Sequence, residues 1–173
     1  KIIENYIKEY GYNYRILNNG ALEVSIKGKD LLVMAIPAFA FEEVTIKMSK
    51  FINKKQPVLI ATKGIQQNTC LFLNEVFVKY LKNPYAVISG PTFAVDMIKN
   101  APIGFSLATK STKVEMLIRR CFENDTTKFR RSRDIVGIEI CGSIKNVMAI
   151  ASGMLDGMGF PESTKCMFIT KAL

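Results

Sequence analysis

The chain contains no histidine. That absence removes Ser-His and Cys-His catalysis and most zinc chemistry. Any proton transfer falls to Lys, Asp, Glu, Tyr or Cys. Cysteine is sparse: Cys70, Cys121, Cys141 and Cys166 stand far apart and form no CxxC pair. They read as reduced core residues of a cytosolic protein, not as zinc ligands or disulfides. No uninterrupted apolar run approaches the roughly 18 residues of a membrane span. The start, KIIENYIKEY, mixes acidic and basic residues and does not resemble a signal peptide. No three of the eleven glycines stand at GxGxxG spacing, so the dinucleotide fingerprint is missing as well.

What is present is ordinary for a soluble globular chain, at 49% hydrophobic and 23% charged residues. The 173 residues suffice for one domain, or for one domain and part of another. The net charge of +9 favours an anionic partner: a phosphate, a dinucleotide or a nucleic acid.

Residues 1–29 are weakly patterned, with a turn expected at Asn18-Asn19-Gly20. Asp30 then leads into LLVMAIP, an apolar run of strand length that fits a strand covered on both faces. A helix is expected from Phe41 to Phe51. A second strand follows at Pro57–Ala61, a helix from about Cys70 to Leu81, and a third strand at Tyr85–Ile88. A short helix is expected after SGPTFA, then a fourth strand at Pro102–Ala108 and a helix through Val114, Leu117, Ile118 and Cys121. This alternation predicts an α/β domain with right-handed crossovers. The basic run Lys128, Arg130, Arg131 and Arg133 reads as a solvated strand edge or loop. It is short, and only Phe129 interleaves it for base stacking.

Lys63, Gly90 and Thr92 each fall just beyond the carboxyl end of an expected strand, where open α/β sheets hold their ligands. Gly64 and Gly90 permit close backbone approach, and helix N-termini there offer N–H groups to anions. The competing reading is that ATKG and SGPT are simple turns. The stretch EICGSIKNVMAIASGMLDGMGF, from Glu139 to Phe160, is strongly helical. Ile144, Val147, Met148, Ala151, Met154 and Leu155 recur at helical spacing and predict one buried face. Lys145 lies off that face, followed on its own side by Ser152 and Asp156. Gly142 is expected to let another backbone come close. By pattern alone, the favoured reading of Lys145 is a snorkelling surface lysine.

Four blocks in this order carry a resemblance: LLVMAIPAFAFEEV, ATKGIQQNT, VISGPTFAVDM and VGIEICGSIKNVMAIASGMLDGMGF. From about Asp30 onward the chain resembles the NAD(P)-dependent glycerol-3-phosphate dehydrogenases, whose glycine-rich, GALKN-type helix start is here CGSIKN. Cys141 stands where a glycine is common and Ser143 where an alanine is. The resemblance implies a Rossmann-like α/β dinucleotide-binding domain over residues 1–138, lacking its first βα unit. The start of an all-α domain is expected over 139–173. The sequence then corresponds to an internal section of a longer enzyme, without the glycine-rich turn and the C-terminal helices, and is expected not to turn over substrate on its own.

The implied reaction interconverts dihydroxyacetone phosphate and glycerol 3-phosphate with NAD or NADP, supplying glycerol 3-phosphate for phospholipid synthesis. Nothing in the sequence chooses between the two cofactors. The resemblance makes Lys145 the catalytic acid and base. It assigns Lys63, Gly90, Thr92 and Asn146 to the substrate, and Pro37, Ala40, Lys63 and Ala94 to the cofactor. A free lysine titrates near ~10.4 and is a poor base at neutral pH. A second cation, for which Lys63 is the candidate, lowers that value, while a substrate phosphate opposes the shift. The expected partner is a small phosphorylated substrate in the cytoplasm, with no nucleic acid, no metal and no membrane insertion; a homodimer is left open. Two alternatives remain: a related two-domain β-hydroxyacid-type dehydrogenase, and a non-enzymatic module that binds phosphate or nucleic acid.

Overall fold

A computed structural model describes residues 13–16, 22–26, 29–91, 99 and 101–172, with side chains between Leu31 and Lys171. Its centre is a seven-stranded sheet whose strands lie in sequence order. These are β1 (Asn13–Ile16), β2 (Leu22–Ile26), β3 (Lys29–Met34), β4 (Val58–Ile60), β5 (Tyr85–Ser89), β6 (Ile103–Ala108) and β7 (Thr127–Ser132). The helices are α1 (Phe41–Ser49, preceded by a 3₁₀ turn at Ala38–Ala40), α2 (Leu73–Tyr80), α3 (Thr112–Phe122), α4 (Ile135–Gly157) and α5 (Glu162–Ala172).

The apolar run of β3 works as its pattern suggests. Leu32 and Met34 point into one core, with Phe41 of α1, Phe77 of α2 and Ile138 of α4. Leu31 and Val33 point into the other, with Val114 and Ile118 of α3. Alternate side chains thus face opposite layers, and both layers are dry. β3, β4 and β5 pair in parallel, so their carboxyl ends share one edge.

Several expectations need correction. β6 runs antiparallel to β5, with Val87 opposite Ala108, and β7 is then parallel to β6. The sheet is therefore mixed, because the alternation of strand and helix reports which faces are buried and not which way a strand runs. The weakly patterned start contains two strands, and β1, β2 and β3 pair antiparallel in turn. The Asn18-Asn19-Gly20 turn and the short helix after SGPTFA lie outside the described residues.

The face expected to be buried on α4 is not. Val147 is 59% exposed and Met154 62%, and Ile144, Met148, Ala151 and Leu155 are only half-buried. The helix buries its N-terminal end instead, at Ile135, Ile138 and Glu139. It starts at Ile135, capped by Asp134, whose Oδ1 accepts the Gly137 N–H at 2.8 Å. CGSIKN therefore lies in the second and third turns, not at the helix start. By length and composition alone, Ile135–Gly157 would suffice to cross a membrane, although Glu139, Lys145 and Asp156 interrupt its apolar run. Of the cysteines only Cys121 is a core residue; Cys70, Cys141 and Cys166 are exposed.

The basic run forms the edge strand β7. Arg131 pairs with Glu115 at 2.9 Å. Phe129 is buried and stacks on Phe105, with ring centroids 5.5 Å apart.

Candidate active site

The site is built where the parallel strands end. Thr62, just past β4, is buried and ties two strand ends together. Its hydroxyl donates to the Met34 carbonyl at 3.1 Å and accepts the Ile36 N–H at 3.2 Å. That fixes the next residue, Lys63, at the sheet edge. The Lys63 ammonium donates to the Gly90 carbonyl oxygen at 3.2 Å, bridging from the end of β4 to the end of β5. Gly64 follows with φ of +125°, a conformation that favours glycine, and packs on Ala38.

Gly90 is a place of close approach, as the sequence suggested. A Cβ there would stand 2.7 Å from the Gly104 carbonyl oxygen. Gly142 of α4 is another: a Cβ would lie 2.9 Å from Ser89 Oγ and 3.9 Å from Lys63 Cγ. What approaches Gly142 is therefore the Ser89 side chain, and α4 lies directly over the ends of β4 and β5. Between them is a narrow, partly open cleft lined by Thr62, Lys63, Ser89, Ile138, Glu139 and Gly142 among others.

The structure brings Lys63 and Lys145 within electrostatic reach. Partial burial holds the Lys63 ammonium below its ordinary value, and the charge on Lys145 adds to that depression. Lys145 is half-buried and Asn146 exposed, one turn beyond Gly142 on α4 and outside the cleft lining. Pro37 is exposed and Ala40 half-buried, on the turn that follows β3. Lys63, Gly90 and Lys145 thus gather at one edge, with Asn146 beside them on the helix. Thr92 and Ala94 lie outside the described residues. Among the described residues no cluster of His, Cys, Asp or Glu could hold a metal ion.

The sequence reading missed Glu139. It is buried, 6% exposed, and its Oε1 accepts the Asn74 N–H in the first turn of α2 at 2.9 Å. Burial pushes its carboxyl up to about 7; the Asn74 N–H opposes this and the nearby Glu75 charge reinforces it. The N-terminus of α2 is therefore filled by this carboxyl, and its Asn74 N–H is not open to an anion. The signal was there in outline, since a carboxylate flanked by Ile138 and Ile140 calls for a partner. The partner itself lies 65 residues away and leaves no local mark.

The chain has relatives of known family. Residues 3–115 match the family described as NAD-dependent glycerol-3-phosphate dehydrogenase N-terminus, and residues 134–173 match the corresponding C-terminus. A glycerol-3-phosphate dehydrogenase [NAD(P)+] of Myxococcus xanthus is 31% identical over 172 residues, covering 97% of this chain and 51% of the relative. The crystal structure of glycerol-3-phosphate dehydrogenase from Coxiella burnetii superposes with a TM-score of 0.73 at 33% identity, covering 81% of this chain and 42% of that one. The structure of DsGPDH of Dunaliella salina shares the fold, with a TM-score of 0.74 at 19% identity, over 84% of this chain and 26% of that one. The chain spans about half the length of the curated relatives it matches, 51% in the first case. With matched segments in both halves and the same fold, the chain belongs to the NAD-dependent glycerol-3-phosphate dehydrogenase family.

Proposed function

We propose that the protein carrying this sequence interconverts dihydroxyacetone phosphate and glycerol 3-phosphate with NAD or NADP, and so supplies glycerol 3-phosphate for phospholipid synthesis. The observation that carries the reading is the meeting of two lysines, Lys63 and Lys145, at the carboxyl edge of parallel strands. A chain without histidine has few other ways to move a proton at a carbonyl.

The residues at this edge fit one end of a dinucleotide. Lys63 offers a cation, Pro37 an exposed apolar surface, and Ala40 a small neighbour beside it. Pro37, Ala40, Lys63 and Ala94 would hold the cofactor, which supplies or accepts the hydride when bound. Lys145 Nζ gives its proton to the substrate oxygen during reduction and takes it back from the hydroxyl during oxidation. Lys63 stabilises the negative charge that develops on that oxygen. Its carbonyl partner, Gly90, belongs with Thr92 and Asn146 to the substrate contacts. The two-cation arrangement also suits a phosphorylated, anionic substrate.

The same reading places the protein in the cytoplasm, in line with its four unpaired cysteines. It includes neither nucleic acid nor membrane insertion. The only aromatic in the basic run, Phe129, is buried, and α4 carries Glu139 and Lys145 within its apolar span. The residues 1–138 and 139–173 would then serve as dinucleotide-binding and helical substrate-binding parts. The experiment is a spectrophotometric assay of nicotinamide oxidation with dihydroxyacetone phosphate by the longer protein that carries this sequence, not by the 173 residues alone. Turnover above the no-enzyme blank supports the reading; its absence at saturating NADH and NADPH contradicts it.

A further inference from the structure

We propose that Glu139 is a positioning residue for Lys145, its buried carboxyl pinning α4 to the first turn of α2 and so setting where Lys145 stands against Lys63. This rests on the reading of Lys145 as the proton-transfer group.

The anchoring of α4 is uneven. Its buried residues are Ile135, Ile138 and Glu139, all in its first two turns, and beyond them the helix is half-buried or exposed. Lys145 lies six residues past Glu139. At 1.5 Å rise per residue it stands about 9 Å along the helix axis from that carboxyl. A helix held at one end acts as a lever, so a small rotation at the anchor becomes a larger displacement at Lys145. The anchor has two apolar parts, which slide easily, and one directional part. The directional part is the hydrogen bond from the Asn74 N–H to Glu139 Oε1 at 2.9 Å.

A buried carboxyl is an expensive anchor unless its site is built for it. The first turn of α2 supplies orphan N–H groups and the positive end of the helix dipole. Glu139 Oε2 and Asn74 Oδ1 are both closed to solvent and without hydrogen-bond partners, so no second side-chain bond competes with the Asn74 N–H in directing the carboxyl. On the next turn, Gly142 rests against Ser89 and Lys63, with no side chain to hold α4 off the sheet. Glu139 fixes the angle and Gly142 the separation. The result is the approach of Lys145 to Lys63, whose ammonium is held below its ordinary value by burial and, second, by the Lys145 charge. Burial and Lys145 act on Lys63, and the charge of Glu139 does not figure among its causes.

The test uses that titration as a ruler. Lys63 is followed by NMR of the ¹³C-dimethylated protein, without substrate, in wild type and in Glu139→Gln, Glu139→Asp and Glu139→Ala. The amide oxygen of Gln can accept the same N–H, so Glu139→Gln should keep the depressed Lys63 titration. Glu139→Ala should move it toward the ordinary lysine value as Lys145 swings away. Glu139→Asp, one methylene short, should move it the same way and carries the test if Glu139→Ala does not fold. In the assayed protein, Glu139→Ala or Glu139→Asp should lower kcat by roughly 10- to 100-fold with KM little changed, the signature of a misplaced acid. An unchanged Lys63 titration in a folded Ala or Asp variant overturns the proposal and leaves Glu139 a cap of α2. An equal shift in Glu139→Gln overturns it too, since charge and not placement would then be responsible. Because the titration needs no substrate, it stands whether or not wild type proves to be a dehydrogenase.

Discussion

The Lys63 ammonium donates to the Gly90 carbonyl oxygen at 3.2 Å, and this one bond joins the carboxyl ends of two parallel strands. It also explains how a cation can sit beside another cation. Lys63 is tied to a backbone acceptor on one side, so it cannot swing away from Lys145 without losing that bond. Under the proposed function, the two cations await a ligand that brings negative charge.

Replacing Lys63 by Met removes the cation and keeps the apolar stem. A charge-assisted hydrogen bond to the ligand is worth roughly 1.5–3 kcal/mol. Lys63→Met should therefore lower kcat/KM by roughly 10- to 100-fold, with KM raised and kcat lowered together. Steady-state kinetics on the variant checks this. Unchanged kinetics would return ATKG to the status of a turn.

The order of causes behind the Lys63 titration is itself testable. Partial burial is the larger cause and Lys145 the smaller. Lys145→Met should raise the Lys63 pKa only part of the way back to the ordinary value of about 10.4. Full recovery, read by NMR titration, would mean that the charge dominates. No recovery would mean that the two lysines do not meet.

The layered α/β plan was legible in the sequence because both faces of β3 and β4 are covered, and such strands read as unbroken apolar runs. The places of Lys63 and Gly90 were legible for the same reason: each follows the end of such a run. Strand direction at β6 was not, since hydrophobicity says nothing about polarity of the chain. The burial of α4 was misread for a related reason. Val147 and Met154 recur at helical spacing, and spacing marks a face without saying what covers it. Glu139 escaped notice because its partner Asn74 is distant in sequence and contributes a backbone group, to which any residue type would be equivalent.

Two glycines at the site should differ in tolerance. A Cβ on Gly90 meets a backbone carbonyl at 2.7 Å, which cannot turn aside. A Cβ on Gly142 meets the hydroxyl of Ser89 at 2.9 Å, which can change rotamer. Gly90→Ala should cost on the order of 1–3 kcal/mol, the usual range for overpacking, and Gly142→Ala less. Urea unfolding of both variants decides the order; a larger loss for Gly142→Ala would contradict the geometry.

Glu139 predicts a pH dependence of stability. Its folded pKa is about 7, raised from 4.5. Between those values the folded state binds the proton more tightly than the unfolded state, so stability falls as pH rises through that window. Glu139→Gln, neutral at every pH, should change little below pH ~4.5 and should stabilise above pH ~7, by on the order of 3 kcal/mol at most. Thermal unfolding at pH 5 and pH 8 checks the sign. A Gln variant that is less stable at pH 8 would show that the carboxylate is the better anchor.

In the proposed reaction Lys145 moves the proton at the substrate oxygen. The most direct measurement compares nicotinamide oxidation with dihydroxyacetone phosphate by wild type and Lys145→Ala, in the protein carrying this sequence, alongside ligand binding to each. Lys145→Ala should lower kcat by roughly two to four orders of magnitude, the usual contribution of a positioned acid or base. Dihydroxyacetone phosphate and nicotinamide cofactor should still bind with affinities changed far less than the rate. A Lys145→Ala variant that turns over at close to the wild-type rate would remove Lys145 from the chemistry.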